Sequence, residues 1–125
     1  AVRRECAIAL RHNTSPAAPA LWAKLAQQHD GADRWYLEAL GLALDRQQNK
    51  FFGAWLETVG SNWDTPAGRD IVWRSRSKKT PDLLVKILLN KKTKEADKPR
   101  YIRALDFQSG PEKDAALLKL LGAGS

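Results

Sequence analysis

Proline and glycine fall between short apolar-periodic segments, and this punctuation constrains the chain more than any other feature. Each segment is too short to bury its own apolar face, so every one must pack against another. Residues 2–12 read as a first helix with Val2, Cys6, Ala9 and Leu10 on one face. Asn13-Thr14-Ser15-Pro16 supplies hydroxyl caps and a first-turn proline for a second, whose stripe is Leu21, Trp22, Leu25 and Ala26. Asp33 caps a third, with Tyr36, Leu37, Leu40 and Leu44 at helical spacing. Asn49 caps a fourth, which carries Phe51, Phe52, Trp55, Leu56 and Val59 before Gly60 ends it. Thr65-Pro66, Thr80-Pro81, Pro99 and Pro111 open four more. The last is predicted to present Ala115, Leu117, Leu118 and Leu121. The sixth, with Leu83, Leu84, Ile87 and Leu88 on one side and Val85 and Leu89 on another, is predicted to be the most buried. Sustained apolar/polar alternation is absent and β-branched residues are sparse, so the expected class is all-α, with about eight helices.

Self-similarity then selects the architecture. An Arg-x4-Ala-Leu frame spans Arg4 to Leu10 and returns from Arg34 to Leu40, with looser copies after Arg69 and from Pro99 to Leu105. The second helices correspond as well: Pro19-Ala-Leu-Trp-Ala-Lys-Leu25 lies over Pro81-Asp-Leu-Leu-Val-Lys-Ile87. Repeats of two short helices bury a continuous core only by stacking, which is the logic of an α-solenoid of about four antiparallel helix pairs. Residues 2–10 resemble the second helix of a HEAT repeat, so the expected organisation is one HEAT/armadillo-like domain over residues 1–121 of a larger protein. Residues 122–125 read as a tail. The expected structural core is Trp22, Trp35, Trp55, Trp73, Leu40 and Ile87, with Cys6 buried beside Ala7 and Ala9. Gly41 and Gly53 are placed where helices approach closely.

A more specific resemblance is carried by Asp33-Arg-Trp-Tyr-Leu-Glu-Ala-Leu-Gly41, Ala54-Trp-Leu56 and the stretch from Trp63-Asp-Thr-Pro-Ala-Gly-Arg to Trp73-Arg-Ser-Arg76. These are similar to the helical-repeat region of PVC-type membrane-bound dehydrogenases, and Arg100-Tyr-Ile-Arg-Ala-Leu-Asp-Phe107 is similar to its continuation. The resemblance implies a parent with a sugar-dehydrogenase-like propeller and a c-type haem domain, and export to the periplasm. Haem attachment needs Cys-x-x-Cys-His, whereas this chain has one cysteine with no histidine beside it. The resemblance therefore implies a spacing or docking role here, with the chemistry in other modules.

The residues themselves point the same way. His12 and His29 sit near helix C-termini, where imidazoles suit the helix dipole, and neither belongs to a ligand set. Asp64, Asp70 and Asp106 are isolated in sequence, and Ser75 and Ser77 lack a nucleophile elbow. No catalytic residue, cofactor or metal is expected. No apolar run approaches the ~20 residues of a membrane span. The expected protein is monomeric, with other domains or another protein as its partner.

Charge supplies the alternative. The chain is +7, and residues 69–103 hold twelve basic and four acidic residues, a net +8. A patch of that strength attracts phosphate backbones. Arg74, Arg76, Lys78, Lys79, Lys91, Lys92 and Lys94 are its candidate carriers, as a nucleic-acid or other polyanion surface. The same residues in polar connections also serve plain solvation.

Overall fold

The computed structural model describes residues 2–123, and among them every regular element is helical. In chain order the helices are α1 Val2–Ala9, α2 Ala18–Gln27, α3 Arg34–Ala43, α4 Gln48–Val59, α5 Pro66–Arg74, α6 Thr80–Leu89, α7 Lys98–Asp106 and α8 Pro111–Ala123. Short 3-10 turns at Gly60–Trp63 and Glu95–Asp97 precede α5 and α7. The chain divides into two compact units, residues 1–75 and 76–125.

Local chemistry accounts for most boundaries. The Asp33 carboxylate accepts from Tyr36 N–H at 3.0 Å, and Thr65 Oγ1 accepts from Gly68 N–H at 2.9 Å, each satisfying a donor in a first helical turn. Pro66 follows its cap directly, where a missing N–H costs nothing. At the start of α2 the same residue types behave differently. Asn13 Oδ1 takes the Ser15 N–H and Ser15 Oγ takes the Ala17 N–H, which folds residues 13–17 into successive turns. The helix therefore starts only at Ala18, with Pro19 in its first turn. The first helix ends at Ala9, three residues short of the expected His12, and His12 itself adopts a left-handed backbone (φ 67°).

In residues 1–75 each helix packs mainly on the helix two places along. Helices α1, α3 and α5 form one layer and α2 and α4 a second, with α2 also touching α1 and α3. Trp22 of α2 is fully buried between the layers, and its indole N–H donates to the Leu40 carbonyl of α3 at 3.1 Å. Its ring lies 6.1 Å from Phe51 of α4, and Phe52 lies 5.5 Å from Trp55. Leu40, Leu44, Ile71 and Val72 complete this core. In residues 76–125, α6 packs on both α7 and α8. Seven of its ten residues are buried, including Leu84 and Ile87, so it is the central helix of that unit.

Two helices are rotated from the expected facing, and in a third the expected stripe is buried but one expected core residue is not. Helix α1 turns Ala7 and Leu10 inward rather than Val2, Cys6 and Ala9, and Cys6 is exposed. On the same face Arg3, one turn before Ala7, brings its guanidinium within 5.8 Å of the Tyr36 ring of α3. Trp35, expected in the core, is 69% exposed. The buried face of α3 runs through Tyr36, Leu37, Leu40, Gly41 and Leu44, one residue (about 100°) away. Helix α8 buries Ala116 and leaves Leu117, Leu118 and Leu121 outside, and its Lys119 reaches Asp82 of α6 at 2.9 Å. Trp73 is half-buried. Gly41 does mark a close approach, whereas nothing lies within 4 Å of a Cβ built on Gly53.

Candidate interaction surfaces

The charge is divided along the boundary between the two units. Residues 1–75 carry nine Lys/Arg against eight Asp/Glu, and residues 76–125 carry twelve against six, a net +6 on fifty residues. Lys78, Lys79, Lys91, Lys92 and Lys94 are all exposed. They do not form one patch. Lys78 and Lys79 stand before the first turn of α6, and Lys91, Lys92 and Lys94 stand after its last. Ten helical residues, about 15 Å, separate the groups.

Both flanking loops are ordered by short polar side chains. Ser77 Oγ accepts from Lys79 N–H at 3.2 Å, Asn90 Oδ1 accepts from Lys92 N–H at 2.9 Å, and Thr93 Oγ1 donates to the Ile87 carbonyl at 2.6 Å. The lysine stems thus leave fixed backbones. Of the two arginines in the predicted set, Arg76 lies over the Phe107 ring, 4.9 Å from its centroid. Arg74 belongs to the other unit and to its architecture. It pairs with Glu38 at 3.6 Å and fills the space over Gly41, where a Cβ would stand 2.3 Å from its Nε. This ties α5 to α3.

Acidic groups within residues 76–125 temper the field. Asp82 receives Lys119 at 2.9 Å and Lys86 at 3.4 Å, and Glu95 receives Lys98 at 2.7 Å. The hydrogen bond from Lys119, with Lys86 adding to it, holds the Asp82 carboxyl below its ordinary value of 3.8. A carboxyl depressed in the folded state stabilises above its unfolded value, and that contribution is lost as pH falls through the folded one. Unfolding of the whole chain in urea is therefore expected to become easier below about pH 3.8. Asp82→Asn should show a smaller loss over the same window. Asp82 is half exposed, so added salt should shrink the effect.

One polar constellation escaped the sequence reading. His29, in the turn after α2, is buried, and its Nε2–H donates to Asp70 Oδ2 of α5 at 2.9 Å. The imidazole lies 6.2 Å from the Tyr36 ring. The Tyr36 hydroxyl in turn donates to the Leu25 carbonyl, and burial pushes the pKa of the phenol upward. Forty-one residues separate His29 from Asp70, so no local spacing announces the pair. Arg69, next to Asp70, is held by Asp64 at 2.6 Å. Together these bonds fasten the start of α5. Asp70→Ala would leave the imidazole N–H without its partner, an expected loss of about 2–3 kcal/mol in a urea titration. Asp70→Asn, which keeps an acceptor, should lose less.

The exposed apolar residues are the other surface feature. Trp35 and Leu42 lie on the outward face of α3, separated by two turns with half-buried Glu38 between them. Ile102 and Phe107 on and after α7, and Leu118 and Leu121 on α8, are outward in the other unit. Among the described residues no group of three or more His, Cys, Asp or Glu side chains could hold a metal ion. No helix there is long and apolar enough to cross a membrane. The geometry thus defines an all-α protein built from short packed helices, with exposed apolar and basic faces. No protein-family model, curated protein or solved structure matches the chain.

Proposed function

We propose that the chain is a non-catalytic helical-repeat scaffold that presents helix faces to a neighbouring domain or another protein. The observation that carries this reading is the packing of each helix in residues 1–75 on the helix two places along, with Trp35 left 69% exposed on the outer face of α3. Layered short helices keep such faces rigid and outward, which suits docking. Large aromatic residues dominate the energetics of interfaces when they are available to a partner. If the motifs around Trp35, Trp63 and Trp73 belong to a PVC-type dehydrogenase region, the partner is another domain of that parent, such as its c-type haem domain.

Titration calorimetry of the chain with such a haem domain is expected to give saturable binding. Trp35→Ser should weaken it at least about tenfold while leaving the thermal melt unchanged. Absence of binding, or a Trp35→Ser variant that binds as well as the parent, would overturn the reading.

A second reading rests on the +6 charge of residues 76–125 and the lysines fixed at both ends of α6. These would engage a polyanion such as a nucleic-acid duplex. Fluorescence anisotropy of a labelled DNA duplex should then show binding that falls steeply with salt, with a shallower slope after Lys78, Lys79, Lys91 and Lys92 are replaced by Gln.

A further inference from the structure

Within residues 76–125 a large aromatic ring lies on the surface among cations. Phe107, the residue that ends α7, is 64% exposed. The Arg76 guanidinium lies over its ring, 4.9 Å from the centroid. Helical geometry supplies further neighbours. Arg100 and Arg103 precede Phe107 by seven and four residues, so the three share a stripe of α7 about 60° wide and about 10 Å long. Arg103 is exposed, and Arg100 is half-buried with its guanidinium 5.7 Å from the Tyr101 ring centroid. Asp106, the acid adjoining Phe107 in sequence, lies about 100° around the helix.

The segment that carries Arg76 is basic as well. Ser77 Oγ accepts from Lys79 N–H at 3.2 Å, so the exposed Lys79 leaves an ordered turn shortly after Arg76. Cations alone would suit any polyanion. A duplex keeps its bases stacked inside and offers such a surface little beyond phosphates. An unstacked strand offers base faces too, and both an aromatic ring and a guanidinium plane take a base by stacking. The Arg76–Phe107 pair is such a stack already assembled, and both chain segments that form it carry further positive charge.

We propose that residues 76–125 bind single-stranded nucleic acid, with a base stacked on the Arg76–Phe107 pair and backbone phosphates on Arg103 and Lys79. The proposal rests on the polyanion reading of this unit and names the polyanion. It is independent of the docking surface on α3.

The test titrates the whole chain, at near-physiological salt, into fluorescein-labelled oligo(dT), oligo(U), an abasic strand and a duplex, all of equal length. Oligo(dT) or oligo(U) is expected to bind at least about tenfold tighter than the abasic strand, which has the same charge and no base to stack. The tighter of the two identifies the sugar. Phe107→Ala should erase that preference while leaving abasic binding and the helical circular dichroism unchanged. Phe107→Trp, which keeps a ring, should retain the preference. Arg103→Gln should weaken all strands and flatten their salt dependence. Binding of none of the four probes would overturn the proposal and the polyanion reading together. If the abasic strand or the duplex binds as tightly as the single strands, or if Phe107→Ala keeps the preference, the proposal falls and the polyanion reading stands.

Discussion

Trp22→Ala is expected to lower the unfolding free energy by about 3–5 kcal/mol in urea denaturation followed by circular dichroism. The indole is fully buried, it touches both helix layers, and its N–H serves the Leu40 carbonyl. Truncation removes the largest buried side chain of that core and strips Leu40 of its donor. The surrounding helices are joined by short turns, so they collapse only partly into the space. Trp35→Ala is the internal control. With 69% of its surface in water it should change stability by no more than about 0.5 kcal/mol. A loss for Trp35 comparable to that for Trp22 would place the α3 face in the core and remove it as a docking surface.

Gly68→Ala is expected to be as damaging, by a different route. Gly68 is the third residue of α5, where the turn from Trp63 to Thr65 folds back over the helix start. A Cβ there would stand 1.8 Å from the Trp63 carbonyl oxygen and 3.1 Å from Thr65 Oγ1. The nearest obstacle is backbone, so relief requires moving the turn, which also carries the Thr65 cap and the Asp64–Arg69 pair. Loss of at least about 3 kcal/mol is expected, above the ordinary range for an overpacked site. Gly53→Ala provides the contrast. It sits mid-helix with open space around it, so alanine should stabilise by up to about 1 kcal/mol through helix propensity. Thermal melts of the two variants should therefore move in opposite directions.

Much of the fold was legible because it is written in local chemistry. Asp33 and Thr65-Pro66 announce helix starts through side-chain oxygens placed before apolar repeats, and the structure uses both as caps. Leu83, Leu84, Val85 and Ile87 read as a helix covered on several sides, and α6 is the central helix of its unit. Facing was less legible. In α1 and α8, and at Trp35 beside the correctly read stripe of α3, apolar residues occupy adjacent positions, and a shift of one residue turns the face by about 100°. The partner helix decides between them, and which face it will cover is a tertiary property: α1 meets α3 through Ala7 and α8 meets α6 through Ala116.

Long-range polar pairs were not legible at all. His29 and Asp70 look like unrelated single residues until α2 and α5 are brought together. Gly68 carries no signal beyond following a cap. The basic run reads as one stretch in sequence, yet α6 sits in its middle and holds Lys78 and Lys79 about 15 Å from Lys91 and Lys92. Arg74 is spent on Glu38 and the Gly41 gap. A charge run interrupted by a helix is thus two lysine clusters rather than one continuous stretch.

The scaffold reading is tested most directly by mapping tryptophan indole resonances of the ¹⁵N-labelled chain during titration with a c-type haem domain. The account predicts that the Trp35 indole shifts in proportion to binding, while those of Trp22 and Trp55, buried in the core, stay fixed. Shifts confined to the lysine loops around α6, or no shift of the Trp35 indole at saturation, would contradict it.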